Sequence, residues 1–148
     1  MTTEGQTIRF APGELIFKEG EKGDVIFHIE RGIVEIFVGE GNGIVVLTEM
    51  NPGEIVGVMA AVTGEPRLAS ARAKTEVISK KIPSKAITEQ VKTLPNWVKA
   101  AFKDYRGRLD HVNKTVQEQS REIKKLRKKL QPEADKPAAE KKPETPKL

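Results

Sequence analysis

The apolar residues are laid out in two ways along the chain. In the first half they form short runs rich in Val, Ile and Phe: Glu14–Phe17, Val25–Glu30, Ile33–Val38 and Ile44–Thr48. Gly13, Gly20, Gly23, Gly32, the 39–43 cluster and Gly53 separate them. Eleven of the 12 glycines lie at or before Gly64, so the turn-rich part ends there. Strands of this length and spacing predict a mainly β fold, an antiparallel barrel or jelly roll. The stretch GEGNG (39–43) predicts a hairpin loop, because Gly and Asn tolerate positive φ. A further run, Arg72–Ile82, is expected to close the sheet and to stop at Pro83, which has no N–H for a ladder bond.

The second half has helical spacing. Ser84 is placed to cap a short helix to about Lys92, with Ile87 and Val91 on one face. Thr93-Leu94-Pro95 reads as a new start. Beyond it an alternating 3, 4 spacing runs through Phe102, Tyr105, Leu109, Val112 and Val116, then Gln119, Ile123, Leu126 and Leu130. These nine fall on heptad a and d positions, and only Gln119 is polar. A helix from Phe102 to Leu130 would be about 43 Å long. Such a stripe needs a partner surface, and a second copy is the simplest, so a homodimer paired along these residues is expected. Gln119 and Gly107 weaken the seam; the glycine costs about 1 kcal/mol against Ala. Glu122 at g and Arg127 at e form the one good cross-seam pair of a parallel dimer. The organisation expected is residues 1–92 as a β domain with a short helix, 93–130 as the long C-terminal α-helix, and 131–148 as a loose tail. The tail, with four prolines, eight charges and no aromatic residue, cannot bury enough apolar area to fold.

Charge refines this picture. The net charge of +5 is local. Residues 1–102 carry 12 Lys/Arg against 13 Asp/Glu, while residues 103–130 carry 10 against 4. The run KKLRKK (124–129) raises a nucleic-acid reading. It lies at a helix C-terminus, where cations suit the dipole, and no DNA-binding domain is expected after it. The absence of cysteine excludes disulfides, thiolate metal sites and cysteine nucleophiles. No apolar run is long enough to span a bilayer and the start carries no signal-like stretch, so a cytoplasmic protein with no membrane association is expected. His28 and His111 stand apart from any carboxylate cluster, so neither a metal site nor an enzyme is expected. Glu19, Glu21 and Asp24 read as an acidic turn.

Two segments, FAPGELIFKEGEKGDVIFHIERGIVEIF (10–37) and MNPGEIVGVMAAVTGEPRLASARA (50–73), resemble the cyclic nucleotide-binding domain family. The resemblance covers about residues 8–92, and the late helix falls where that family has its long dimerising helix. It implies a β-roll and a phosphate cassette of the form Gly-Glu-x-Ala followed by Pro-Arg-x-Ala-Ser/Thr. Gly57, Val58, Met59 and Ala60 match the first part; Arg67, Ala69 and Ser70 match the second. In such a cassette the glycine and alanine admit the cyclic phosphate close to the main chain. The arginine grips its oxygens and the glutamate accepts the ribose 2′-hydroxyl. Gly53-Glu54 is a rival start, but it places the glutamate 13 residues before Arg67 rather than the nine that Val58 gives. The turn Pro52-Gly53-Glu54 is therefore set aside.

The family's glutamate position is thus Val58, which accepts no hydrogen bond. A hydroxyl buried against it costs about 1–3 kcal/mol, roughly one to two decades of affinity. Three outcomes stay open: weak binding of cyclic AMP or cyclic GMP, binding of another anion, or an empty fold. No cofactor is expected beyond such a ligand. The expectation is a stand-alone, non-enzymatic regulatory module that signals through its long helix. The alternative is a ligand-independent dimeric scaffold that binds a protein partner through its helix and tail.

Overall fold

The computed structural model describes residues 5–131. Eight strands form two four-stranded antiparallel sheets. In the first, β1 (Gln6–Phe10), β8 (Val77–Pro83), β3 (Val25–Arg31) and β6 (Ile55–Val56) lie in that order. In the second the order is β2 (Leu15–Phe17), β7 (Ser70–Ala73), β4 (Val34–Val38) and β5 (Val45–Met50). The helices are α1 (Val58–Thr63), α2 (Lys85–Lys92) and α3 (Asn96–Leu130). This is the mainly β fold with a long C-terminal helix that the apolar pattern predicts, and the β-roll that the resemblance implies.

The core gathers residues from both sheets. Phe10, Phe17, Phe27, Ile29, Val34, Ala71 and Val77 are buried together. Phe27 is the hub: its ring meets Phe10 edge-on at 5.8 Å and stacks with Phe17 at 6.3 Å. Each such pair adds about 0.5–1.5 kcal/mol beyond area burial. Ile26 and Phe27 are both buried although neighbours on a strand point to opposite faces. Phe27 enters the common core, whereas α1 packs against β3 from outside. Across the second sheet Arg72 sits opposite Glu35, and its Nε donates to that carboxylate at 2.8 Å.

Several local expectations are corrected. The run Arg72–Ile82 is not one strand. Its chain breaks at Lys74–Glu76 and passes from the second sheet to the first. The Lys74 N–H donates to the Ile33 carbonyl and the Ile33 N–H to Thr75 Oγ1, which fixes that crossing beside the β3–β4 turn. Strands β1 and β6 were not anticipated. β1 has only two large apolar residues, Ile8 and Phe10, and β6 is two residues long. Ser84 caps α2 with its main-chain carbonyl, which accepts from Ile87 and Thr88; its side chain makes no cap bond. The 39–43 loop has a one-turn 3-10 helix at Gly41–Gly43, with Gly39 and Gly41 at positive φ.

The long helix begins at Asn96, directly after Pro95, and runs through Gly107 without a break. It packs on α1, β5 and the 41–43 turn. Its heptad stripe is divided by this packing. Phe102 and Val116 are half-buried against the chain's own domain, whereas Tyr105, Leu109, Val112, Gln119, Ile123, Leu126 and Leu130 are exposed. The loose tail expected over 131–148 lies, past Gln131, outside the described residues.

Candidate functional site

Gly57 is the pivot of the site. It stands between β6 and α1 with φ +90°, a left-handed conformation open to glycine at little cost. A Cβ there would fall 2.2 Å from Arg67 Nη1, so the bare backbone also makes room for the guanidinium.

Arg67 lies on the loop between α1 and β7. The acidic turn pins its main chain: the Arg67 N–H donates to the Glu21 carbonyl at 2.8 Å, and the Gly20 N–H donates to the Arg67 carbonyl at 2.9 Å. The residue is 4% exposed. Its Nη1 donates to the Gly57 carbonyl at 2.9 Å and its Nη2 to the Val25 carbonyl at 2.5 Å. The guanidinium lies over the Phe17 ring, 4.1 Å from its centroid. Nε is buried and has no partner among the described residues. Burial pushes the Arg67 pKa down from its ordinary value, and the charges of Glu21 and Asp24 partly offset this. An arginine so shifted stays a cation at neutral pH. The protein thus carries a buried positive charge whose Nε makes no hydrogen bond to the described residues.

Beside this cation lies a cavity of about 420 Å³. That falls in the range of small-molecule sites, about 300–1,000 Å³. Gly57, Val58, Met59, Ala60, Arg67 and Ala69 line it, so six of the seven expected site residues meet around one space. Ser70 does not line it: its buried Oγ accepts the Glu19 N–H at 2.8 Å. Leu47 and Met50 of β5 form an apolar wall, and Phe17 and Ile36 contribute further apolar surface. Arg67 is the one charged residue of the lining, which contains no carboxylate. Glu54, the rival glutamate, is exposed, and its carboxylate accepts the Asn51 N–H within its own turn.

Helix α3 closes one side of the cavity with Leu109 and Asn113. It also holds the Arg67 loop directly. Asn113 Nδ2 donates to the Leu68 carbonyl at 3.3 Å, and Arg106 Nη2 donates to the Pro66 carbonyl at 2.5 Å. Arg106 also pairs with Glu65. The carbonyls on both sides of Arg67 are therefore tied to the long helix. The sequence reading missed these contacts and Phe17, and it assigned Leu109 only to a dimer seam. Nothing local marks them, since Arg106–Pro66 and Asn113–Leu68 span 40 and 45 residues.

Among the described residues no group of three or more His, Cys, Asp or Glu side chains is placed to hold a metal. His28 lies on β3 opposite Lys80, and His111 is exposed on α3. No helix among the described residues is long and apolar enough to cross a membrane.

A β-roll whose glycine turn and buried arginine face one cavity is the architecture of a phosphate-cradling ligand domain. The model of the cyclic nucleotide-binding domain matches residues 7–93, and the chain belongs to that family. It is 44% identical over 71 residues to the cAMP-dependent protein kinase regulatory subunit of Emericella nidulans, covering 48% of this chain and 17% of that one. It is 34% identical over 71 residues to the corresponding subunit of Dictyostelium discoideum, covering 47% of this chain and 22% of that protein. The chain thus matches only a minor part of each subunit. Among solved structures it is similar to the cAMP-bound form of the EAL enzyme Bd1971, at 28% identity and a TM-score of 0.67. That match covers 85% of this chain and 33% of the enzyme. The cGMP-bound form of the same enzyme matches at 30% identity and a TM-score of 0.67, over 71% of this chain and 28% of that one.

Proposed function

We propose that the domain is a non-enzymatic regulatory module that senses a cyclic nucleotide or a related anion, with affinity weakened by Val58. The observation that carries this is the buried Arg67 guanidinium at the cavity wall with its Nε unpartnered. A buried cation gains most from an anion, because water screens it least. The relatives support the class of ligand: the kinase subunits are named for cAMP dependence, and the EAL enzyme is described with cAMP and with cGMP bound.

The signal leaves through α3. An anion competes with the Gly57 and Val25 carbonyls for the guanidinium. Arg67 then shifts, and its loop shifts with it. Arg106 and Asn113 hold that loop at the Pro66 and Leu68 carbonyls, so the shift reaches the long helix. In this reading the exposed stripe of α3 pairs with a second copy, and a change in helix position becomes a change in the dimer.

Isothermal titration with cyclic AMP and cyclic GMP tests the reading. Binding in the micromolar range that Arg67→Ala abolishes supports it. No heat at millimolar cyclic AMP or cyclic GMP overturns the nucleotide reading. A second reading, a ligand-independent scaffold for a protein partner, draws on one observation: two of the guanidinium donors already hold main-chain carbonyls. Absence of nucleotide binding together with an intact dimer favours that reading.

A further inference from the structure

The cavity wall beside the cation is apolar, and this bears on which part of a ligand the site can recognise. Within the lining, the side chains able to hydrogen-bond are Thr48, Arg67 and Asn113. Thr48 belongs to β5 and Asn113 to α3, where its amide already donates to the Leu68 carbonyl. Gly57, whose carbonyl meets the guanidinium, and Val58, Met59 and Ala60 beside it in the lining offer no side-chain acceptor. Arg67 itself is a donor only. An anion held by Arg67 therefore meets apolar side chains, and no carboxylate, on the Gly57–Ala60 side.

In a 3′,5′-cyclic nucleotide the ribose 2′-hydroxyl is fixed close to the ring phosphate. Once the phosphate sits on Arg67, that hydroxyl falls within the same apolar surroundings. It leaves its water partners and meets no carboxylate. Removing the hydroxyl leaves no buried acceptor behind in the protein, because Val58 has none to lose. This is the reverse of a site built to hold a hydroxyl, which rejects the analogue lacking it because its own polar groups are left unpaired.

We infer that this pocket does not select for the ribose 2′-hydroxyl: it takes cyclic phosphodiesters whose flank at Val58 is bare at least as readily as those that carry a hydroxyl there. Val58 is the specificity-determining residue. The inference rests on the proposed reading of the site as a cyclic nucleotide pocket, and it names the sugar chemistry that the pocket accepts.

The experiment titrates the full chain with cyclic AMP and with 2′-deoxy cyclic AMP side by side. The expected result is a deoxy ligand bound equally or up to about tenfold more tightly, the change that one unpaired buried hydroxyl produces. A deoxy ligand bound measurably more weakly than cyclic AMP overturns the inference while leaving the nucleotide reading intact. No binding of either ligand overturns the nucleotide reading, and the inference falls with it. Val58→Glu supplies a second readout: the preference should turn toward cyclic AMP by about tenfold or more. A folded Val58→Glu variant with an unchanged ratio also overturns the inference. The comparison of ligands on the unaltered protein stands even if that variant fails to fold.

Discussion

At the scale of single residues, Gly57 and Arg67 are one device. The positive φ of Gly57 turns the chain from β6 into α1, and the missing Cβ leaves space for Nη1. Gly57→Ala meets both obstacles. It costs at least about 1–2 kcal/mol for the left-handed conformation alone, a fall in Tm of about 3–10 °C. It also pushes the guanidinium off its carbonyls. Thermal unfolding and nucleotide titration should therefore both change, and an unaltered melting curve would show that the turn relaxes freely. The residues of this device were legible in the sequence, because Gly57 and Arg67 keep a fixed spacing within one short stretch. Phe17 was not: its ring comes under the guanidinium from a strand 50 positions earlier.

At the scale of elements, the decisive contact is α3 on the 65–68 loop. Arg106 is mostly shielded and meets both Glu65 and the Pro66 carbonyl. Arg106→Ala should free the first half of α3. Amide hydrogen exchange there is expected to quicken by about tenfold, the loss of roughly one charge-assisted hydrogen bond. Lys114→Ala is the control. Among the described residues Lys114 pairs only with Asp110 one turn away, on an exposed face of the same helix, and its loss should leave exchange nearly unchanged. Equal exchange in the two variants would remove Arg106 as the link between the site and the helix. The strand sequence carried a comparable lesson. The run Arg72–Ile82 reads as one strand, yet its three polar residues Lys74-Thr75-Glu76 take it from one sheet to the other. Periodicity reports which faces are buried, not which sheet buries them.

At the scale of the whole molecule, the question is what covers the outer row of α3. Tyr105 and Val112 are 59% and 53% exposed, and Ile123 and Leu126 are 49% and 51% exposed. A second copy paired along this row is the occupant that the heptad spacing favours. Sedimentation of the unaltered chain should show a dimer. Leu126→Glu should convert it to monomer, because it places like charges within the seam, while the β-roll melts as before. A monomeric wild type at high concentration would discard the paired-helix reading. In a parallel pair the cations beyond Glu122 would set a salt dependence as well: screening should tighten it by weakening repulsion between the Lys-rich ends.

The sequence by itself determined the mainly β fold and the long helix, and its resemblance to the family placed Val58 where a glutamate would stand. Each of these is a matter of local order: turn residues at fixed offsets, apolar periods and a cassette contained in a few turns of chain. Tertiary structure alone decided that the Arg67 guanidinium points inward onto the Gly57 and Val25 carbonyls, and that α3 grips its loop from both sides. Those contacts join residues 10 to 45 positions apart. They depend on how the two sheets and the helix close on each other, and no one-dimensional pattern encodes such closure.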